Sequence, residues 1–227
     1  ASRLFYDDGH LYFGAGKNSG SGKYYVIDTK SEKKEDATKT EEIKNVKEII
    51  SSEGSFYLKN AVKVGQYIIT SDNQGTISSI DTKNNDKVVS TKEIGKRFSG
   101  GIAYDKTTNM IYFVAGTNDL YGVKVGNDGT FGEEKSVRVY ETGYSAMTPE
   151  VYNGKVYVSG CVGTSPFSDK GYLAVVDVQS EQYKVNYIVE LPAYAMGEML
   201  VSKTGENSVR LYFTVNYAES DENYVPC

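Results

Sequence analysis

The stretch from Asn153 to Asp177, NGKVYVSGCVGTSPFSDKGYLAVVD, predicts two short strands joined by a loop. The Asn-Gly pair at its start is a typical turn sequence, and the residues around Tyr157 are of the types that strands favour. A second apolar segment begins at Gly171 and ends at Asp177. We interpret the stretch as a β-hairpin whose two strands are joined by the loop GTSPFSD.

The same hairpin recurs along the chain. A turn followed by an apolar strand with a tyrosine at the same point appears in DDGHLYFGAG, KVGQYIITSD, TTNMIYFVAG, YNGKVYVSGC and ENSVRLYFTV. Aligned on Tyr12, Tyr67, Tyr112, Tyr157 and Tyr212, the copies lie 55, 45, 45 and 55 residues apart. The second strand of the hairpin recurs in three copies in which a glycine precedes an aspartate by six positions: Gly22–Asp28, Gly75–Asp81 and Gly171–Asp177. In the third repeat Asn118 and Lys124 stand in place of these two markers.

Two further strands complete each repeat. Candidate strands precede the tyrosine strand in the segments SRLFY, LKNAVKV, SGGIAY, TPEVY and GEMLVS. Other candidate strands follow the hairpin in the segments DKVVSTKEI, KSVRVYETG and YKVNYIVEL. A unit of four short antiparallel strands in about 40 to 55 residues is typical of a β-propeller blade. We therefore predict an all-β fold, a single β-propeller domain over residues 1–227, with blades at about 1–55, 56–97, 98–143 and 144–195 and a partial fifth at 196–227.

The number of predicted blades does not determine how the ring of the propeller is closed. Propellers have four to eight blades, and the fifth here is followed by the polar tail AESDENYVPC. Either the tail completes the ring in an unusual way or the chain is a piece of a longer protein, and we favour the second interpretation.

Composition excludes two classes of partner. The chain has a net charge of −5 and a pI near 5.1, so it lacks the basic surface that nucleic-acid binding needs. No run approaches the roughly 20 apolar residues that span a bilayer. We expect neither nucleic-acid binding nor membrane insertion.

One segment breaks the strand pattern. Residues Thr29 to Ile50 are densely charged, and their end has the spacing of a short amphipathic turn. We interpret the segment as a solvated insertion in the first blade, with a partner-docking segment as the alternative.

The residues that carry chemistry are few. His10 is the single histidine, in the turn DDGH, and no nucleophile motif such as G-x-S-x-G is present. We expect a non-catalytic protein with no cofactor. Cys161 and Cys227 lack the spacing of a zinc or redox motif, and two arrangements stay open for Cys161: a buried thiol, or a disulfide with Cys227.

Carboxylates recur at one place in the repeat. Because Asp28, Asp81 and Asp177 occupy equivalent positions, they indicate structural turns rather than a catalytic pair. The acidic turns SDNQG, DTKNND and GNDG offer oxygen ligands for Ca²⁺, although none has the spacing of an EF-hand loop. We interpret these segments as ordinary turns, with calcium binding as the alternative.

Aromatic residues near predicted loops are the candidates for ligand binding. The five repeat tyrosines are expected in blade packing, whereas Tyr144, Tyr194, Tyr217 and Tyr224 lie near loops where blade ends converge. Tyrosine suits both sugars and protein interfaces. We predict that these four residues contribute to a binding face, with packing inside the blades as the alternative.

The repeat G-x-[IL]-x-x-[IV]-D after a strand of the type G-x-[VIL]-Y-[VIF] resembles the pyrroloquinoline-quinone-like propeller repeat. This repeat is found in quinoprotein dehydrogenases, in outer-membrane assembly lipoproteins and in surface proteins of gut Firmicutes. The stretch from MTPEVYNGKVYVSG to VRLYFTVNY is most similar to the surface-protein branch. The quinoprotein enzymes end each repeat in tryptophan, and the chain has none.

The resemblance implies a bacterial extracellular or cell-surface location and a binding or scaffolding function. We expect a protein or carbohydrate ligand that binds through blade loops. A propeller enzyme that depends on a quinone or a metal, and a purely structural spacer within a larger surface protein, are the alternatives.

Overall fold

The computed structural model describes residues 3–17, 20–30, 45–56, 60–163, 170–192, 194–205, 208–216, 218–219 and 223–224. Over these residues the secondary structure consists of strands and turns, so the prediction of an all-β fold is confirmed. None of the described segments is a helix with the length and apolarity to span a membrane. The chain divides into two compact units, Ala1–Gly95 and Lys96–Cys227. The prediction of one domain over the whole chain stays a prediction.

The first unit contains two four-stranded antiparallel sheets, each in chain order. The first sheet consists of β1 (Phe5–Asp7), β2 (His10–Gly16), β3 (Gly22–Asp28) and β4 (Val46–Ser52). The second consists of β5 (Val62–Val64), β6 (Tyr67–Ser71), β7 (Thr76–Asp81) and β8 (Lys87–Glu93). We call these sheets blades 1 and 2.

The second unit repeats this arrangement and adds shorter sheets. Blade 3 consists of β9 (Phe98–Asp105), β10 (Met110–Ala115), β11 (Asp119–Val125) and β12 (Phe131–Arg138). In blade 4, β13 (Gly143–Tyr144) and β14 (Glu150–Tyr152) both pair with β15 (Lys155–Val162), which is followed by β16 (Gly171–Asp177) and β17 (Lys184–Leu191). The fifth sheet is the pair β18 (Tyr194–Lys203) and β19 (Val209–Asn216), and a last pair is β20 (Ala218–Glu219) with β21 (Asn223–Tyr224).

Turn residues close the hairpins as the sequence predicts. Asp8-Gly9 and Asn153-Gly154 join first and second strands, and all four residues have positive φ, from 42° to 85°. Two consecutive residues of this kind make the type I′ turn, whose twist matches that of the strands it joins.

The aspartates that end the third strands form turns. Each accepts a hydrogen bond at Oδ1 from the backbone N–H two residues later, over 2.9 to 3.0 Å, in the pairs Asp28–Lys30, Asp81–Lys83 and Asp177–Gln179. This is the Asx-turn geometry, in which a side chain replaces a backbone acceptor. The geometry explains why aspartate recurs at this position.

The cores lie between neighbouring blades. In the first unit Tyr12, Tyr24 and Val26 of blade 1 pack with Ile68 and Ile80 of blade 2. In the second unit, a core of the same kind joins blade 3 to blade 4, through Tyr112 and Val114 on one side and Val156, Val158 and Tyr172 on the other. In each unit, the apolar side chains that alternation places on one face of a blade therefore pack against the neighbouring blade.

Four of the five repeat tyrosines are buried. Tyr12, Tyr67, Tyr112 and Tyr157 are between 1% and 8% exposed, so their predicted place in blade packing is confirmed. The prediction is wrong for Tyr212, which is 50% exposed. Tyr212 lies in β19 of the two-stranded fifth sheet.

The fourth strand of every complete blade carries an irregularity where it pairs with the third strand. The register shifts between Tyr24 and Tyr25 in blade 1, Ser79 and Ile80 in blade 2, Val123 and Val125 in blade 3, and Val175 and Val176 in blade 4. Such a bulge adds an unpaired residue, bends the strand and increases its twist.

Two boundaries differ from the sequence prediction. Residues 46–50, assigned to a solvated insertion ending in an amphipathic turn, belong to strand β4, because pairing with β3 overrides the charges of Lys47 and Glu48. The fourth strand of blade 3 begins at Phe131 rather than Lys135. Residues 31–44 of the predicted insertion lie outside the described residues.

Candidate binding surfaces

Each blade has one end that gathers its connecting segments. Because neighbouring strands are antiparallel, the turn between the second and third strands lies at the same end as the segments that enter and leave the blade. We call this the loop end. It is where the sequence predicts ligand binding, since rigid sheets present variable loops there.

At the loop end of blade 2, Asp72 is 2% exposed and organises the turn after β6. Its Oδ1 accepts the N–H groups of Gln74, Gly75 and Thr76 over 2.9 to 3.0 Å, and its Oδ2 accepts the hydroxyl of Ser52. These bonds supply the partners that a buried carboxylate requires. Asp72 is therefore a structural residue of the loop end.

Asn73, next along the chain, ties this turn to the segment that leaves blade 1. Its Oδ1 accepts the N–H of Ser55 and its own N–H donates to the Ser55 carbonyl, each over 2.8 Å. Both residues are buried. The reciprocal pair fixes the position of the turn.

An open depression of about 640 Å³ lies beside this turn. Its lining includes Ser52, Glu53, Asp72, Gln74 and Glu93. In the described part of the chain, no three His, Cys, Asp or Glu side chains lie together in a way that would hold a metal ion. Binding of calcium to the acidic turns stays a prediction.

The loop end of blade 3 carries two cations on one carboxylate. Asp119, at the start of β11, is 7% exposed. Lys96 Nζ donates to its Oδ2 over 2.7 Å, and the Arg138 guanidinium donates to both carboxylate oxygens. Arg138 reaches Asp119 because the two residues lie directly opposite each other in β12 and β11. We call Lys96, Asp119 and Arg138 the cationic cluster.

The electrostatics of this cluster favour the ionised form of Asp119. Burial alone would raise the pKa of the carboxyl, but the hydrogen bonds from Arg138 and Lys96 outweigh it and hold the pKa below its ordinary value. The same contact raises the pKa of Lys96. The cluster therefore contains two positive charges, on Lys96 and Arg138, and one negative charge, on Asp119. About half of each cationic side chain remains exposed, 46% for Lys96 and 53% for Arg138.

Aromatic contacts support the cluster. Lys96 Nζ lies 5.7 Å from the centre of the Tyr121 ring, which is a cation–π distance. Asn118, fully buried beside Asp119, donates its side-chain amide to the Tyr140 carbonyl. The Tyr140 ring stacks on Tyr172 at 4.9 Å. The turn that presents the cluster is thus anchored in the core of the second unit.

The four tyrosines predicted for a binding face have different outcomes. Tyr144 is half-buried in β13, opposite Cys161 of β15. Tyr194 begins β18 and pairs with Asn216, and Tyr224 pairs with Ala218 in the last hairpin. Tyr217 lies outside the described residues. Their role in binding stays a prediction.

The other residues singled out in the sequence lie within the blades. Cys161 is 2% exposed in β15, and Cys227 lies outside the described residues, so a disulfide between them stays a prediction. His10 is half-buried at the start of β2, and its ring centre lies 6.3 Å from that of Tyr12.

Sequence reasoning missed the cationic cluster. Its three residues are far apart in the sequence: Lys96 lies 23 positions before Asp119, and Arg138 lies 19 positions after it. The one available signal was the third repeat, where Asn118 and Lys124 replace the glycine and aspartate markers. That departure marks the turn in which Asp119 lies.

Comparison with known proteins supports the assignment of the fold. No protein-family model matches the chain, and no curated protein does. Among solved structures, BamB from Moraxella catarrhalis is 13% identical, with a TM-score of 0.55 over 94% of this chain and 55% of that one. The N-terminal domain of Nup159 is 8% identical, with a TM-score of 0.54 over 94% of this chain and 60% of that one. Apo AztD from Citrobacter koseri is 15% identical, with a TM-score of 0.52 over 84% of this chain and 47% of that one.

The chain spans about half to three fifths of the length of these structures. At such low identity, the likeness shows the fold and nothing further. Together with three four-stranded sheets and one five-stranded sheet, all antiparallel and packed in pairs within each unit, it shows that the chain has the β-propeller fold.

Proposed function

We propose that this chain is a non-catalytic binding and scaffolding module of a bacterial surface or secreted protein. It takes a protein or carbohydrate ligand through the loop ends of its blades. The cationic cluster of blade 3 is the observation that supports the proposal. It places two half-exposed cations on a turn that is held rigidly by Asn118 and the Tyr140–Tyr172 stack.

The charge of this cluster defines the ligand group. On a chain with a net charge of −5, a local excess of one positive charge attracts carboxylate or sulfate groups. The Arg138 guanidinium presents several donors in a fixed plane, which suits a carboxylate. Acidic side chains of a protein and uronic or sialic acids of a glycan share this chemistry.

The test compares binding by variants of the cluster. The probes are fluorescent polyglutamate and an array of acidic and neutral glycans, at low and at physiological salt. Changing both Lys96→Gln and Arg138→Gln should weaken binding of acidic probes about three- to tenfold, since exposed ion pairs contribute about 0.2–1 kcal/mol each. Lys135→Gln, which removes an exposed lysine from β12 of the same blade, is the matched control.

A third variant separates binding from folding. Asp119→Asn frees both cations from their carboxylate partner, so it should bind acidic probes at least as tightly as the unmodified chain. Thermal melts of each variant measure its folding. Equal binding by the unmodified chain and the double variant, or no binding of any acidic probe, would contradict the proposal.

The proposed location has its own measurement. A tagged protein on intact bacterial cells should be removed by added protease, whereas a cytoplasmic marker should persist. Protection of the tag in intact cells together with its loss after lysis would refute the surface location.

A further inference from the structure

The turn between β14 and β15 consists of Asn153 and Gly154, the single Asn-Gly pair of the sequence. Asn153 is exposed. Within the described part of the chain, neither its carboxamide nor the N–H of Gly154 forms a hydrogen bond. We propose that Asn153 is a site of spontaneous deamidation, in which the backbone nitrogen of Gly154 displaces ammonia from the Asn153 side chain.

The reaction needs no reagent other than water. The Gly154 nitrogen loses its proton and bonds to Cγ of Asn153, the bond from Cγ to the amide nitrogen breaks, and ammonia leaves with that proton. The product is a five-membered succinimide ring, which water then opens at either of its two carbonyls. Attack at Cγ gives aspartate. Attack at the backbone carbonyl gives isoaspartate, in which the main chain continues through the former side chain.

Glycine at position 154 allows the nitrogen to reach Cγ, because it has no Cβ beside that nitrogen and adopts either sign of φ. Asn153 and Gly154 have φ of 49° and 71°, as in a type I′ turn. Rotation of the peptide group between them gives a type II′ turn, which hairpins also favour. That turn keeps φ of Asn153 at about +60° and moves its ψ to about −120°. The Gly154 nitrogen then lies on the side of Cα that carries Cβ.

The contacts of the turn permit this rotation. The Gly154 carbonyl accepts the N–H of Val178 over 3.1 Å, but this carbonyl belongs to the next peptide group and can stay in place. Tyr152 and Lys155 pair on the two sides of the turn, and both turn types connect such a pair. The hairpin therefore stays intact while the reactive geometry forms.

The other asparagines of this backbone conformation lack these conditions. In the described part of the chain, Asn85 and Asn109 also have positive φ, and each is followed by a residue with a side chain. The side-chain Oδ1 of Asn109 accepts the Tyr104 hydroxyl over 2.8 Å, and that of Asn85 accepts the Lys47 ammonium over 3.2 Å. These bonds hold the two carboxamides away from the next backbone nitrogen.

Blade 1 indicates how the two products differ. Its corresponding turn is Asp8-Gly9, with φ of 42° and 85°, so aspartate fits the same turn. Aspartate at position 153 would add one negative charge to a chain with a net charge of −5. Isoaspartate would add a methylene group to the backbone of the turn, so that Tyr152 and Lys155 could no longer lie directly opposite each other. The second product should therefore destabilise the hairpin of β14 and β15.

The experiment ages the full folded chain in mildly alkaline buffer and follows each asparagine by peptide mapping with mass spectrometry. Labelling with an isoaspartate methyltransferase identifies the second product. Asn153 should react before every other asparagine of the described segments, and faster as the pH rises, because the attacking nitrogen must lose its proton. A synthetic peptide with the sequence of residues 151–156, VYNGKV, provides the rate of the unfolded segment.

Gly154→Asn is the matched control. Asn85 and Asp86 show that two consecutive residues other than glycine can both have positive φ in a turn of this protein. The added side chain would meet the side chain of Gln179, which is exposed and can move. This variant should deamidate at Asn153 at least about tenfold more slowly, with thermal melts to check its folding.

A second variant separates the two products. Asn153→Asp should melt at the temperature of the unmodified chain, whereas aged protein enriched in isoaspartate should melt at a lower temperature. Three outcomes would overturn the proposal: an intact Asn153 in the folded chain after a period that deamidates the peptide, an earlier reaction at another asparagine of the described segments, or an equal rate in a folded Gly154→Asn variant. The first two outcomes decide the matter even where that variant does not fold. None of them depends on the acidic probes of the proposed function.

Discussion

Two tyrosines at the same repeat position should differ sharply in their contribution to stability. Tyr112 in β10 is 2% exposed between blades 3 and 4, whereas Tyr212 in β19 is 50% exposed. Both lie in the second unit. The variants Tyr112→Ala and Tyr212→Ala therefore compare the same chemical change in a covered and an uncovered copy of one position.

The expected magnitudes follow from the area that each side chain removes from water. A buried tyrosine removes about 200 Å², which at about 25 cal/mol per Å² corresponds to about 5 kcal/mol. Compact unfolded chains lower this figure, so we expect Tyr112→Ala to cost about 3–5 kcal/mol, as for other aromatic truncations in cores. Tyr212 buries about half its surface and leaves no enclosed cavity, so its loss should cost about 1–2 kcal/mol.

Urea unfolding followed by circular dichroism measures both variants against the unmodified chain, with the slope of the transition as a check that the same surface is exposed. If the two units unfold separately, hydrogen exchange in β10 and β19 gives the local values. A difference between the variants of less than about 1 kcal/mol would refute the reasoning that inter-blade burial sets the contribution of the repeat tyrosines.

Two other variants test the core and the cationic cluster. A Cβ at Gly122 would lie 2.1 Å from the Tyr183 hydroxyl, so Gly122→Ala should lower stability by about 1–3 kcal/mol. Thermal melts should show that adding Tyr183→Phe restores part of this stability. A double variant no more stable than Gly122→Ala would contradict the clash. The pKa of Asp119 is lowered in the folded state, so its stabilising contribution is complete above the unfolded value of 3.8 and is lost as the pH falls through the folded pKa. The difference in urea midpoint between the unmodified chain and Asp119→Asn should therefore be constant near neutral pH and shrink below about pH 4, and a difference independent of pH would count against the ion pairs.

The hairpin at the centre of each blade was predictable because its signals are local. The turn, the tyrosine, and the glycine and aspartate of the third strand lie within about 25 residues of each other, as in Asn153 to Asp177. Each marker has a conformational reason: positive φ in the Asn-Gly turn, and an Asx-turn at Asp177. Repetition then distinguishes these markers from chance.

Features that depend on distant pairing were not predictable from the sequence. Strand β4 was missed because Lys47 and Glu48 are exposed on an outer strand, where their charge is tolerated. The cationic cluster forms only when cross-strand pairing brings Arg138 opposite Asp119. The local pattern likewise led to the same prediction for Tyr212 and Tyr112, although their burial differs, because burial depends on contacts with residues distant in the sequence.

The shifted register in the fourth strands bears on how the protein behaves at high concentration. An outer strand with a free edge is a template onto which a strand of another molecule can add, and repeated addition leads to fibres. A bend at each of these edges, at Ile49, Val89 and Asn186 in blades 1, 2 and 4, interrupts the straight run of backbone groups that such growth requires. Deletion of the extra residue in any one of these strands would straighten its edge, and we expect the cost to be insolubility of the folded protein rather than loss of its core.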